Sequence, residues 1–201
     1  MSVLFCNNNS MSAITSTPSG VGGGSMVLIS TQTASSSSTI SFTSGIDSTY
    51  KEYIFKFINI HQATDEASFS FNGSVDSGSN YNVTKTTTFF RAFHTENDDT
   101  ANVSYSTGRD LAQSTDFKIL AYRSSNANDA GHSGFLHLFD PSNTTFVKHF
   151  IATSNVYNSA NVSENRFTAG YFNTTTALTR VRFKFASGNI DAGTFKLYGV
   201  V

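Results

Sequence analysis

The chain has 201 residues, 38% hydrophobic and 13% charged, with a formal net charge of -1 and a pI near 6.5. That length suits one domain of ordinary size, and the even charge balance gives no electrostatic footprint for nucleic acid or an anionic membrane surface. The 19 Phe and 8 Tyr exclude a disordered chain, and the single cysteine, Cys6, excludes an internal disulfide framework or a multi-cysteine zinc site.

Residues 1–25 read as an extended, flexible N-terminal arm. Val3, Leu4 and Phe5 form a short apolar patch, followed by Asn7–Ser10, Pro18 and the run Gly22-Gly23-Gly24, which has the composition of a flexible linker. The patch makes Val3, Leu4 and Phe5 the candidate anchors of the arm on a partner. The first residues lack the basic region of a secretory signal, and no run nears the roughly 18 apolar residues of a membrane-spanning helix. A soluble protein made without a Sec-type leader is expected.

From Met26 the pattern changes to short apolar segments parted by turn residues, the signature of an all-β domain over residues 26–201. Strands are predicted over residues 26–31, 39–43, 51–60, 67–71, 86–93, 103–105, 117–122, 134–139, 146–152, 166–172, 179–185 and 194–200. Turn signals punctuate them, among them Asn72-Gly73, Asp140-Pro141 and Ser187-Gly188-Asn189. Several strands alternate with period two: Val181, Phe183 and Phe185 share one face while Arg182 and Lys184 share the other. Tyr53–Ile60 and Phe135–Phe139 are apolar on both faces, which marks central strands or strands whose outer face meets a neighbouring subunit. Only Arg109–Tyr122 has helical character, with a turn or two expected at most. The sum is an antiparallel two-sheet sandwich, jelly-roll-like, carrying the arm.

Motifs for chemistry are sparse. His61, His94, His132, His137 and His149 lack the close pairs that zinc sites use, although His137 and His149 could face each other on paired strands. The segments Glu96–Asp99 and Asn126–Asp129 cluster oxygen ligands without a calcium-loop pattern, so solvated loops are the simpler reading. No nucleophile elbow, phosphate-binding loop or dinucleotide fingerprint occurs, and no motif selects a carboxylate pair for glycoside hydrolysis. The Asn-x-Ser/Thr triplets at Asn72, Asn82, Asn102, Asn143, Asn161 and Asn173 follow from an Asn-, Ser- and Thr-rich composition. No catalytic residue, metal or cofactor is predicted. A second reading, glycan contact from loops at Asn80–Asn82 and Tyr157–Asn165, makes Tyr81, Tyr157 and Asn158 the residues to examine.

The stretches Leu28–Asp47, Thr49–Ile60 and Ser187–Val200 (SGNIDAGTFKLYGV) carry a resemblance. They are similar to a family of small virion structural proteins of tailed phages, common in marine and freshwater phages. The likeness covers nearly all of residues 26–201, and its final segment is the most specific part. It implies a β-sandwich exposed on the particle, found as a capsid decoration, head-fibre or tail-fibre component with no assigned active site, and a non-enzymatic decoration or cement protein assembled in the host cytoplasm is the favoured reading. The alternatives are a tail-fibre or receptor-binding adhesin and, more remotely, a polysaccharide depolymerase. Partners implied are further copies of the chain, a trimer being favoured, and the major capsid protein or another virion protein.

Overall fold

The computed structural model describes residues 26–201, and these contain thirteen strands and no helix. Strands make up more than half of the described residues. All pairings are antiparallel. The strands are β1 (Met26–Ser37), β2 (Ile40–Phe42), β3 (Glu52–Gln62), β4 (Phe69–Ser74), β5 (Lys85–Thr95), β6 (Ala101–Tyr105) and β7 (Leu111–Ser114). They continue with β8 (Lys118–Ala121), β9 (His132–Phe139), β10 (Lys148–Asn158), β11 (Val162–Phe172), β12 (Arg180–Phe185) and β13 (Ile190–Val200).

One sheet has nine strands in the order β1-β13-β3-β9-β10-β11-β5-β6, with β7 pairing on β5; the other has four in the order β2-β12-β4-β8. The inequality has a simple origin. β5, β6 and β7 are inserted between β4 and β8, β10 and β11 between β9 and β12, and both insertions extend the larger sheet beyond β9.

Between the sheets lies an aromatic core. Phe183 of β12 is its hub, with the rings of Phe42, Phe55, Phe57, Phe69, Phe71 and Phe195 centred 5.6–6.3 Å away. Most are edge-on or tilted, the arrangement that the ring quadrupoles favour. The period-two reading of β12 holds: Val181, Phe183 and Phe185 are buried, with Arg180, Arg182 and Lys184 on the other face. Where β9 crosses β10 the packing admits no side chain at Gly134. A Cβ there would lie 2.2 Å from the Thr153 carbonyl oxygen and 2.6 Å from the Phe57 ring. Gly134→Ala is therefore expected to cost about 1–3 kcal/mol by overpacking. A lowered urea midpoint would register that cost, and an unchanged one would contradict the packing.

Tyr53–Ile60 and Phe135–Phe139 fall on adjacent central strands, β3 and β9. Arg109–Tyr122 contains no helical turn, within the bound expected: it forms β7 and, where a strand was expected over 117–122, β8. Side chains of β5, in the same insertion, hold β7 in place. Thr87 Oγ1 accepts the Leu111 N–H at 3.0 Å, Thr86 Oγ1 accepts the Gln113 N–H at 3.1 Å, and Gln113 itself has a left-handed φ of 48°. The loop expected over Tyr157–Asn165 is also corrected. β10 and β11 form a hairpin there, turning at Ser159–Asn161, and pair in register as far as Asn158 and Val162.

Candidate functional site

Two irregularities in neighbouring strands build a polar cleft at one end of the nine-stranded sheet. β3 bulges between Phe57 and Ile60, leaving Asn59 at a φ of 50°, and β13 shifts register on both sides of Ala192. Gly193 meets this bulge at a φ of 130°, where a Cβ would lie 2.9 Å from the Asn59 carbonyl oxygen. Bulges of this kind re-aim side chains and end local pairing, and they are enriched beside functional sites. The resulting cleft has a volume of about 650 Å³ and is lined by Asn59, His61, Asn128, Asp129, Asn155 and Tyr157, among others.

The loop carrying Asn128 and Asp129 is held in place from several sides. The Asn126 N–H donates to the Asp65 carboxylate at 3.1 Å, the Ala127 N–H to the Ser125 hydroxyl at 3.1 Å and the Ala130 N–H to the Ala127 carbonyl at 2.8 Å. A ring nitrogen of His61, Nε2, lies 3.1 Å from the same Ala127 carbonyl. Tyr157, half-buried, donates its hydroxyl proton to Asn161 Oδ1 at 2.8 Å. Beneath the cleft His132 is buried against Phe69 and Phe185, and neither ring nitrogen has a partner among the described residues. Burial foremost, then the Arg166 and His61 charges, pushes its imidazole down to about 3, so it is neutral in the folded protein.

A second polar feature lies inside the sandwich, under the β5–β11 extension. The Glu164 carboxylate accepts hydrogen bonds from Arg166 Nε (2.9 Å) and Nη2 (2.7 Å), from Arg91 Nη1 (2.9 Å) and from Asn158 Nδ2 (2.6 Å). Tyr122 spreads its ring against the guanidinium groups of Arg166 and Arg109, at 4.1 and 4.6 Å. Three buried lysines tie down loop backbone nearby. Lys85 Nζ donates to the Asp116 carbonyl (2.6 Å), Lys118 Nζ to the Arg109 carbonyl (2.5 Å) and Lys148 Nζ to the Phe146 carbonyl (2.6 Å). Four strands cannot cover nine, so the overhanging inner surface is closed by loops, whose carbonyls need donors. Long cationic side chains supply them. This network ties strands and loops together beneath the extension.

The outer face of the nine-stranded sheet is the third feature. The pairing registers align Ile54 with His137 and Ile151 in one row, and Lys56, Phe135, Thr153, Phe167, Phe90 and Tyr105 in the next. Phe90 and Phe167 stack, with centroids 4.7 Å apart and planes 13° apart. Ile151, Tyr105 and Val103 are 51%, 52% and 67% exposed. A shallow groove of about 510 Å³ runs across this face between Phe139, His149, Ile151, Tyr171 and Thr86.

The residues singled out in the sequence scatter over this framework. Val3, Leu4 and Phe5 lie outside the described residues. Tyr81 is buried on the four-stranded sheet with the Arg182 guanidinium 3.8 Å above its ring. Asn158 is buried too: its Nδ2 donates to Glu164, and its Oδ1 accepts the Ala160 N–H at 2.8 Å. Tyr157 alone borders a cavity. His137 opposes Ile151 across β9 and β10 and contacts Glu52, while His149 packs on Tyr171, so the two histidines share a face without opposing each other. No group of three or more His, Cys, Asp or Glu positioned for a metal ion occurs among the described residues. Asp98 contacts His94 at 2.8 Å, and the Asn126–Asp129 segment forms a wall of the polar cleft.

Sequence reasoning passed over the Glu164–Arg166–Arg91 cluster and the cleft. The one signal for the cluster was the alternation Val162, Glu164, Arg166, Thr168, which puts charges on the strand face opposite Phe167. No family model matches the chain, nor does any curated protein or solved structure to which it was compared.

Proposed function

We propose that this protein is a non-enzymatic surface component of a tailed-phage particle, a capsid decoration protein that packs the outer face of its nine-stranded sheet against further copies of itself. One observation carries the proposal: the uncovered apolar side chains grouped on this face, Val103 and Tyr105 of β6, Phe90 of β5, Phe135 of β9 and Ile151 of β10, with Val103, Tyr105 and Ile151 half or more exposed. Contiguous apolar surface on that scale marks an interaction site, and aromatic residues are enriched at the buried centres of interfaces. The occupant is a second copy because the face has few charges to recruit a complementary partner, and around a three-fold axis one part of this broad face can meet a different part of its neighbour's. A trimer is the favoured state.

The strand order supports a jelly-roll reading. With the insertions set aside, β1-β13-β3-β9 faces β2-β12-β4-β8, the interleaving produced when a long hairpin rolls up into two four-stranded sheets. Jelly rolls recur in capsid proteins, and the sequence resemblance leads to the same place. Residues 1–25 precede β1, an edge strand of the larger sheet, in the sequence and are the proposed tether to the major capsid protein or another virion protein.

Two substitutions test the assembly surface. Phe135→Asp with Ile151→Asp is expected to turn an oligomer into a monomer by light scattering while leaving the melting temperature close to that of the parent, because both side chains point out of the core. A parent that is already monomeric, or a double variant that stays assembled, would overturn the assignment of this face. Labelled antibody seen over the head of intact particles by electron microscopy supports decoration. Label confined to the tail would favour the second reading, a receptor-binding module, which the polar cleft at Tyr157 recommends.

A further inference from the structure

We propose that the polar cleft between β3, β10, β13 and the loop at residues 126–131 is a binding site for a neutral saccharide. The inference does not depend on where the protein sits on a particle.

The chemistry of the lining points to the ligand class. Three amides (Asn59, Asn128, Asn155), a carboxylate (Asp129), an imidazole (His61) and a phenol ring (Tyr157) share one cleft of about 650 Å³, within the size range of small-ligand sites. A sugar hydroxyl is donor and acceptor at once. Side-chain amides offer both functions, and a carboxylate accepts two adjacent hydroxyl protons. Asp129 is exposed and makes no ion pair among the described residues, so its acceptor capacity is not spent on a cation. Neither lysine nor arginine lines the cleft. An anionic sugar would meet Asp129 with no countercharge, which selects neutral rings over sialic or uronic acids.

The backbone makes the same point independently. Asn59 is held at a left-handed φ by the β3 bulge, Gly193 is required where β13 passes it, and the 126–131 loop is fixed by the four contacts given above. Such fixed geometry lowers the ordering cost of binding. The loop turns one amide and a carboxylate, Asn128 and Asp129, towards the same open space that Asn59 of β3 and Asn155 of β10 border. Tyr157, pinned through Asn161, contributes an aromatic surface for the apolar C–H face of a sugar ring.

The test is saturation-transfer NMR on the full chain with methyl glycosides of glucose, galactose, mannose and N-acetylglucosamine, and with glucuronic and N-acetylneuraminic acids as anionic controls. At least one neutral glycoside is expected to bind in the millimolar range, near the affinity of about -4 kcal/mol expected of a small, open site. Asp129→Ala and Tyr157→Ala are each expected to weaken that binding about tenfold or more, an effect of about 1.4 kcal/mol. Phe146→Ser, 68% exposed in the loop before β10 and outside the cleft lining, should leave it unchanged, and thermal melts would establish that all three variants fold. The proposal is overturned if no neutral glycoside shows transfer. It is equally overturned if the acids bind as well as the neutral sugars, or if binding survives both cleft substitutions and so lies elsewhere.

Discussion

Glu164→Ala is expected to cost roughly 3–5 kcal/mol of folding stability, the usual penalty for leaving one partner of a buried ion pair uncompensated. The Glu164 side chain is 2% exposed and that of Arg166 is 0%. Burial alone would raise the Glu164 carboxyl, but Arg166 first, with Arg91 and Asn158, pulls it below its ordinary value. Removing the carboxylate strands a fully buried guanidinium whose other favourable neighbour among the described residues is the Tyr122 ring at 4.1 Å. Arg166 Nη1 has no partner among the described residues even in the parent, so the site has no slack to re-satisfy Nε and Nη2. A hydrophobic replacement of the pair, Glu164→Leu with Arg166→Met, is expected to be less destabilised than Glu164→Ala alone, since it buries no orphan charge. Urea unfolding midpoints measure both. A single-variant loss below about 1 kcal/mol would mean that Arg166 reaches water or another partner, and that the network is not the closed one described.

The same network shows where sequence reading reached its limit. Period-two alternation served well in β12, because that strand lies in the smaller sheet and packs its apolar face on nine-stranded cover. It misleads in β11, where Phe167 and Ala169 point outwards and Glu164 and Arg166 inwards. The reason is topological: β11 overhangs the four-stranded sheet and meets loops rather than a second layer of strands. In β11 the buried charges answer one another, Glu164 pairing with Arg166 and Arg91, while Lys85 of β5 and Lys118 of β8 donate to loop carbonyls. Sequence alone does not reveal which strands overhang, because that depends on two insertions joining one sheet edge. β7 escaped notice for a related cause. Its four residues pair through the hydroxyls of Thr86 and Thr87 as much as through a ladder, and Leu111-Ala112-Gln113 taken alone has helical propensity. The cleft was half legible. Tyr157 could be picked out as an aromatic near amides, but its companions Asn59 and Asp129 come from segments about 70 residues apart, brought together by bulges that no local pattern announces. Tyr81 and Asn158 carried the same local signature and are both buried in structural contacts.

The largest pH effect is expected on the alkaline side of neutrality, where stability should rise steeply between about pH 7 and about pH 9. Burial pushes the amines of Lys85 and Lys118 down to about 7, against the smaller opposing pull of Asp116 on Lys85 and of Asp110 on Lys118. The rings of Phe172 and Phe89, 5.6 and 4.7 Å from the two amines, also favour the charged forms without outweighing burial. In the unfolded chain a lysine holds its proton up to about pH 10.4. Across the window between, the unfolded chain therefore carries up to two protons that the folded chain has released. Raising the pH then favours folding by about 1.4 kcal/mol per unit for each lysine. Below about pH 7 both states are protonated, the slope from these groups vanishes, and the folded protein bears the full cost of two buried charges. On the acid side the sign is the same but the groups differ. Unfolded His132 takes up a proton near pH 6.5, whereas the folded imidazole resists until about 3, so stability falls as pH drops through that interval. Glu164, held below its ordinary value, adds a further loss once carboxylates begin to protonate. Chemical-denaturation curves at about pH 5, 7 and 9 would trace the profile, and Lys118→Met separates its parts. Whatever that substitution does to absolute stability by orphaning the Arg109 carbonyl, it should lower the slope between pH 7 and 9 by the share of one lysine, leaving Lys85, with Lys148, whose amine burial also pushes down, to carry the rest. An unchanged slope, or a parent whose stability is flat across that window, would mean that both amines keep their protons and that the overhang beneath β5 and β11 is hydrated rather than dry.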